Sequence, residues 1–223
     1  MTTLLSILFY IFLFSFGATI GSYINVIAYR TPLFLRRRCR YCGTKIPLRH
    51  LIVKTVSGGI AILCWTIEPS PKAILFFATA CVLLTITLID VDTQKIPDSC
   101  NLALFILGVT ALWVWPEVSL LSRGIGFFVV SVPLFMIALI IAGAFGMGDV
   151  KLMAAAGFLI GWQNAILALS IGLIFGGSYG TYLLATKKKG RKEHFAFGPC
   201  LAIGIFLSML WGKQLIHLYL FGL

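Results

Sequence analysis

Eight long apolar runs, separated by short polar breaks, dominate this chain. They lie near residues 4–28, 55–67, 72–89, 100–115, 121–143, 150–162, 164–185 and 200–220. Several approach the roughly 17–25 residues that a helix needs to cross a bilayer. A soluble chain would have to cover its surface with polar groups, and here 60% of 223 residues are hydrophobic and only 11% charged. That composition excludes an ordinary soluble domain. The expected fold is all-α, a polytopic membrane protein with about eight transmembrane helices. Its organisation reads as a first transmembrane helix (1–28), a basic loop (29–54) and a transmembrane core (55–223).

Charge supplies the topology. Threading eight spans alternately puts loops 29–54, 90–99, 144–149 and 186–199 on one side. With Lys151 counted beside its loop, they hold eight, one, one and five Lys/Arg, fifteen of the eighteen in the chain. The other side keeps Lys72, Arg123 and Lys213. The positive-inside rule then makes the basic loops cytoplasmic and leaves the N-terminus outside. Met1-Thr2-Thr3 lacks the basic start of a cleaved signal, so 4–28 reads as a retained helix. The net charge of +11 sits beside spans, in 30–54 and 187–192, where it favours anionic lipid heads. No aromatic-interleaved pattern accompanies it, so nucleic acid is not an expected partner. The six cysteines are scattered, four of them in or beside apolar segments, unlike a disulfide framework.

All four aspartates (Asp90, Asp92, Asp98, Asp149) fall in this threading at cytoplasmic ends of helices. The ordinary reading of such residues is a solvated flank or, for Asp149, a helix cap. Ionisable groups just inside spans are costly, however, and point by default to function. Asp149 lies in Gly146-Met147-Gly148-Asp149-Val150-Lys151, where two glycines permit a sharp turn and close approach of another chain. Asp90 is followed seven residues later by Pro97, which ends any helix continuing from the third span. Two carboxylates brought together cannot both ionise cheaply and share a proton. The ionised member activates water while the protonated one polarises a peptide carbonyl. An unwound substrate in lipid also needs the hydrogen-bond partners that irregular backbone offers. The pair Asp90 and Asp149 is therefore the candidate catalytic centre, with Gly146, Gly148, Lys151 and Pro97 in support.

With these residues in view, the sequence resembles the type IV prepilin peptidases, intramembrane aspartic proteases of the GxGD kind. The family's D-x5-(I/L)-P-(D/N) element matches Asp90 to Asp98, and its GxGDxK element matches Gly146 to Lys151. An N-terminal signature of the form GSFLNVVIYR is similar to Gly21 to Arg30, and a late FGPFLALG is similar to Phe197 to Gly204. The resemblance implies that Asp90 and Asp149 are catalytic, while Asp92 and Asp98 are not. It implies an endopeptidase in the bacterial cytoplasmic membrane that removes a short basic leader from prepilins or pseudopilins at the cytoplasmic face, without a cofactor for the cut. Lys151 would either tune a carboxylate or anchor a helix end.

The first cytoplasmic loop departs from the family. Many relatives carry two C-x-x-C pairs thought to bind zinc, whereas this shortened loop has one, Cys39-Arg40-Tyr41-Cys42, with His50 as the nearby histidine. A structural zinc wants four ligands, so Cys39 and Cys42 make an incomplete site. Many relatives also methylate the new N-terminus with S-adenosylmethionine. Lys54 stands where the family often has an acid, and Leu51 replaces a usual proline, which sets this second activity in doubt. Two other classes compete: a transporter using the aspartates as a relay, and a non-catalytic pilus-assembly partner. No inverted repeat supports the transporter. Loss of leader cleavage in Asp149→Asn separates the enzyme from both.

Overall fold

The computed structural model describes residues 2–30, 48–141, 145–185 and 196–221. Among these residues there are nine helices and no strand: α1 (Thr2–Arg30), α2 (Leu48–Ile67), α3 (Pro71–Thr93), α4 (Asp98–Val114), α5 (Leu120–Val129), α6 (Ser131–Ile140), α7 (Met147–Ile160), α8 (Trp162–Ala185) and α9 (Gly198–Phe221). Six stretches are long and apolar enough to cross a membrane: α1, α2, α3, α5 with α6 taken together, α8 and α9. The all-helical, multi-pass expectation holds. Cys39, Cys42 and the cluster 187–192 lie outside the described residues. The loop read over 29–54 is already helical from Leu48.

The chain forms two units, Met1–Leu88 and Ile89–Leu223. In the first, α1 packs along α2. Small residues permit the approach: a Cβ on Gly17 would stand 2.8 Å from the Ser57 carbonyl oxygen, and one on Gly21 would stand 2.6 Å from the Ser57 Cβ. The Ser57 hydroxyl donates to the Gly17 carbonyl at 2.8 Å. Such small-residue seams suit lipid, where helices gain from close van der Waals contact rather than from escaping water.

The second unit is built around α7, which touches α4, α5, α6, α8 and α9. Ten of its fourteen residues are buried, among them the run Leu152-Met153-Ala154-Ala155-Ala156-Gly157. At about 21 Å it is shorter than a bilayer's hydrocarbon, roughly 30 Å. Protein rather than lipid surrounds it, so its length and its small side chains answer to its neighbours. A Cβ on Gly157 would stand 2.0 Å from the Gly126 carbonyl oxygen, which puts α5 and α7 in backbone contact.

The span read as continuous over 121–143 is instead two helices. Pro133 has no N–H to give and its ring crowds the carbonyl of Val129, four residues earlier. The helix accordingly breaks at Val130, φ −102° and ψ −41°.

Arg123 is the larger departure from expectation. Counted in the sequence as an outer loop charge, it is 0% exposed. Its guanidinium donates to the carbonyls of Ala111 (3.0 Å) and Trp115 (2.8 Å) at the end of α4. It also donates to Phe158 (3.4 Å) and Leu159 at the end of α7, and through Nε to Val118 (3.2 Å). The last carbonyls of a helix lack internal partners and carry partial negative charge. One cation therefore closes two helix ends and ties α4 to α7.

Candidate active site

The four aspartates divide cleanly. Asp90 is 5% exposed and Asp149 is 9% exposed. Asp92 and Asp98 are both exposed. Burial separates the two carboxylates read as chemical from the two read as flanks, and both buried ones belong to the second unit.

Asp90 sits near the end of α3 rather than closing it. The helix runs on for three residues to Thr93, whose hydroxyl donates back to the Ile89 carbonyl at 2.8 Å. It stops at Gln94, which turns left-handed at φ 54°. Pro97, expected to end α3, stands beyond that stop and instead caps the start of α4 with extended backbone, φ −66° and ψ 136°. The effect is to leave an irregular segment over 94–97 between α3 and α4.

The Asp90 Oδ2 accepts from the Gly198 N–H at 2.9 Å, the first residue of α9. A Cβ on Gly198 would lie 2.7 Å from that oxygen, so only glycine brings the backbone this near. The sequence showed Phe197-Gly198-Pro199 only as a family signature without a role. A glycine followed by proline at a helix start was the available signal. Phe197 packs its ring against Phe145 at 5.5 Å, just ahead of the glycine-rich turn of α7.

Asp149 lies in the first turn of α7, ahead of the apolar stretch and outside the six long spans. Its Oδ2 accepts from the Gly146 N–H at 3.2 Å, the backward half of a capping box. The plain capping role is thus present, and it occupies one oxygen. Each buried carboxylate meets the positive end of a helix, Asp90 that of α9 and Asp149 that of α7, which favours negative charge there. Burial works the other way and prevails at Asp149. Desolvation pushes its carboxyl up to about 6, the Gly146 N–H opposes this, and the nearby Asp90 charge adds to the rise. The two carboxylates feel one another.

The supporting residues are placed as follows. Gly146 caps α7, and a Cβ on Gly148 would stand 3.0 Å from the Ile96 side chain, so the two irregular segments abut. Lys151 pairs with Asp98 at 2.8 Å, both side chains well exposed. It anchors the start of α7 to the start of α4.

Cys39 and Cys42 lie outside the described residues. Among those described, no group of three His, Cys, Asp or Glu could hold a metal ion. His50, the histidine nearest that loop in sequence, has Nδ1 3.0 Å from the Asn25 amide nitrogen and Nε2 3.4 Å from Ser22 Oγ, within the first unit. The ligand set does not reach four within the described residues.

Comparison with known proteins adds an independent line. The profile of the type IV leader peptidase family matches residues 77–181, a stretch that includes both buried aspartates. The chain is 30% identical over 194 residues to a prepilin leader peptidase/N-methyltransferase of Aeromonas hydrophila, covering 84% of this chain and 67% of the relative. It is 31% identical over 195 residues to the protein of that name from Stutzerimonas stutzeri, with coverage of 84% and 67%. The Legionella pneumophila protein is 28% identical over 194 residues, with coverage of 84% and 68%. No solved structure matches.

Proposed function

Because the chain belongs to the type IV leader peptidase family, we propose that it cleaves prepilin leader peptides with Asp90 and Asp149 as its catalytic pair. The observation that carries this reading is the burial of these two aspartates alone among four, each with one oxygen on a helix-start N–H. The enzyme is a multi-pass membrane endopeptidase of the aspartic type.

In the proposed cycle the pair shares one proton. Either member can hold it; with the proton on Asp149, Asp90 is ionised. Asp90 takes a proton from water as the water oxygen attacks the scissile carbonyl carbon. Asp149 gives its proton to the carbonyl oxygen, forming a neutral tetrahedral diol. Collapse of the diol breaks the C–N bond as Asp90 passes its proton to the leaving amine, and a diol hydroxyl returns a proton to Asp149. One water is consumed and the pair ends as it began. General acid–base steps of this type contribute about 10²–10⁴-fold each.

The substrate is a prepilin or pseudopilin whose basic leader stays in the cytoplasm while its apolar helix lies in the bacterial inner membrane. The distribution of Lys and Arg supports this orientation, with the N-terminus of the enzyme outside and the basic clusters beside anionic lipid heads. The cut consumes water and needs no cofactor. N-methyltransferase appears in the names of the relatives; methylation of the new N-terminus would require S-adenosylmethionine. Lys54 and Leu51 weigh against it in this chain.

The test is cleavage of a prepilin in detergent or liposomes, read by product mass with and without S-adenosylmethionine. Wild type should release the leader, while Asp90→Asn and Asp149→Asn should insert normally and lose about 10³-fold or more in rate. Full cleavage by either variant would remove the assignment. An added methyl on the product would show the second activity.

A further inference from the structure

Asn101 is a buried polar residue that the catalytic pair leaves without a role. It is 7% exposed, and among the described residues neither its amide nitrogen nor its amide oxygen has a hydrogen-bond partner. A buried amide lacking both partners destabilises a fold, and an apolar side chain of similar size would avoid that penalty. Such an amide can be satisfied by a group from outside the resting fold.

The position is informative. On α4 the buried residues are Asn101, Leu104, Gly108 and Ala111, one stripe at helical spacing. Gly108 on that stripe faces Phe158 and Leu159 of α7, which makes it the α7-facing side. Three residues before Asn101, Asp98 pairs with Lys151, and Ile96 lies against Gly148. Asn101 therefore stands one helical turn along from where α4 meets the turn that carries Asp149. The charged contact between the starts of the two helices is the Lys151–Asp98 pair, with side chains 52% and 75% exposed. Exposed pairs of this kind resist separation only weakly.

We propose that Asn101 is a substrate-binding residue, whose amide pairs with a peptide unit of the extended substrate as it enters between the starts of α4 and α7. The proposal rests on the reading of Asp90 and Asp149 given above. A carboxamide presents one planar fork of donor and acceptor, matching the C=O and N–H of a peptide unit. An unwound segment at membrane depth needs such partners, because lipid offers none. Among the described residues the fork has no partner.

The experiment measures kcat, KM and thermal unfolding of the full-length protein with a prepilin substrate, for wild type, Asn101→Leu and Asn101→Ser. The expected result is that Asn101→Leu unfolds at the same or a higher temperature. Its KM rises about tenfold while kcat stays within about twofold, the pattern of an interaction made equally in ground and transition states. Asn101→Ser, which keeps a hydroxyl donor and acceptor, recovers part of the lost affinity. Wild-type KM in Asn101→Leu would overturn the proposal. So would a lowered unfolding temperature, which would mean that the amide is satisfied inside the fold. Asp149→Asn measured alongside separates the two failures. If it is inert while Asn101→Leu behaves as wild type, only the Asn101 assignment falls; if it cleaves, the catalytic pair falls and this proposal with it.

Discussion

The α1–α2 pair and α7 are both apolar and helical, yet they answer to different surroundings. In its apolar window α1 is only 11% buried, and it exposes Leu4, Leu5, Ile7, Leu8 and Phe12 along its length. Its 29 residues make about 43 Å of helix, more than enough to cross a hydrocarbon core of roughly 30 Å. By contrast α7 has 14 residues, ten of them buried, with Asp149 at its start and the guanidinium of Arg123 at its end. Lipid accepts any large apolar side chain, whereas a packed neighbour accepts only the shape that fits. The helix that carries the buried Asp149 is the one shaped by protein, because a buried carboxylate needs fixed partners.

Glycine substitutions probe this difference most strongly. Gly157→Ala would push a methyl group into the Gly126 carbonyl and should cost about 3 kcal/mol or more, or prevent folding outright. Gly59 on α2 has nothing within 4 Å of an added Cβ. Gly59→Ala should therefore stabilise by roughly 0.5–1 kcal/mol through helix propensity. Thermal unfolding in detergent checks both, and equal effects at the two sites would erase the contrast.

A smaller effect is expected at Asp149, read by stability against pH. Its carboxyl is raised from 3.8 in the unfolded chain to about 6 in the fold. The folded state binds the extra proton, so stability is complete below about pH 4 and declines as pH rises through about 6. Asp149→Asn removes that penalty while keeping an acceptor for Gly146. The variant should be more stable than wild type by up to about 3 kcal/mol at pH 7.5 and by nothing at pH 3.5. A variant that is inactive yet more stable is the signature of a site held at a cost to folding. A gain independent of pH would point to packing instead.

The smallest effect belongs to Lys151. Its pair with Asp98 is exposed, so Lys151→Ala should change stability by less than about 1 kcal/mol and vanish in high salt. Cleavage should stay within about twofold. A large loss would mean that Lys151 acts on the Asp149 carboxylate rather than as an anchor.

Much of the architecture was legible because lipid reads a chain almost residue by residue. Apolar runs located the helices to within several residues, and Pro97 marked irregular backbone near Asp90. What escaped notice depended on contacts distant in sequence. Nothing local distinguishes Arg123 from an ordinary loop cation, since its partners lie in α4 and α7. Nothing local pairs Gly198 with Asp90, 108 residues away. The stop of α3 at Gln94 rather than at the proline was also hidden, because a left-handed glutamine has no compositional mark.

By itself the sequence determined that this is an all-helical membrane protein, which family it resembles, and which carboxylates to suspect. Only tertiary structure decided that Asp90 and Asp149 are buried while Asp92 and Asp98 are not, that each meets a helix start, and that α7 is walled by protein. The physical reason is that hydropathy adds up along a chain, whereas desolvation of a charge and the partners that offset it exist only once separate helices have packed.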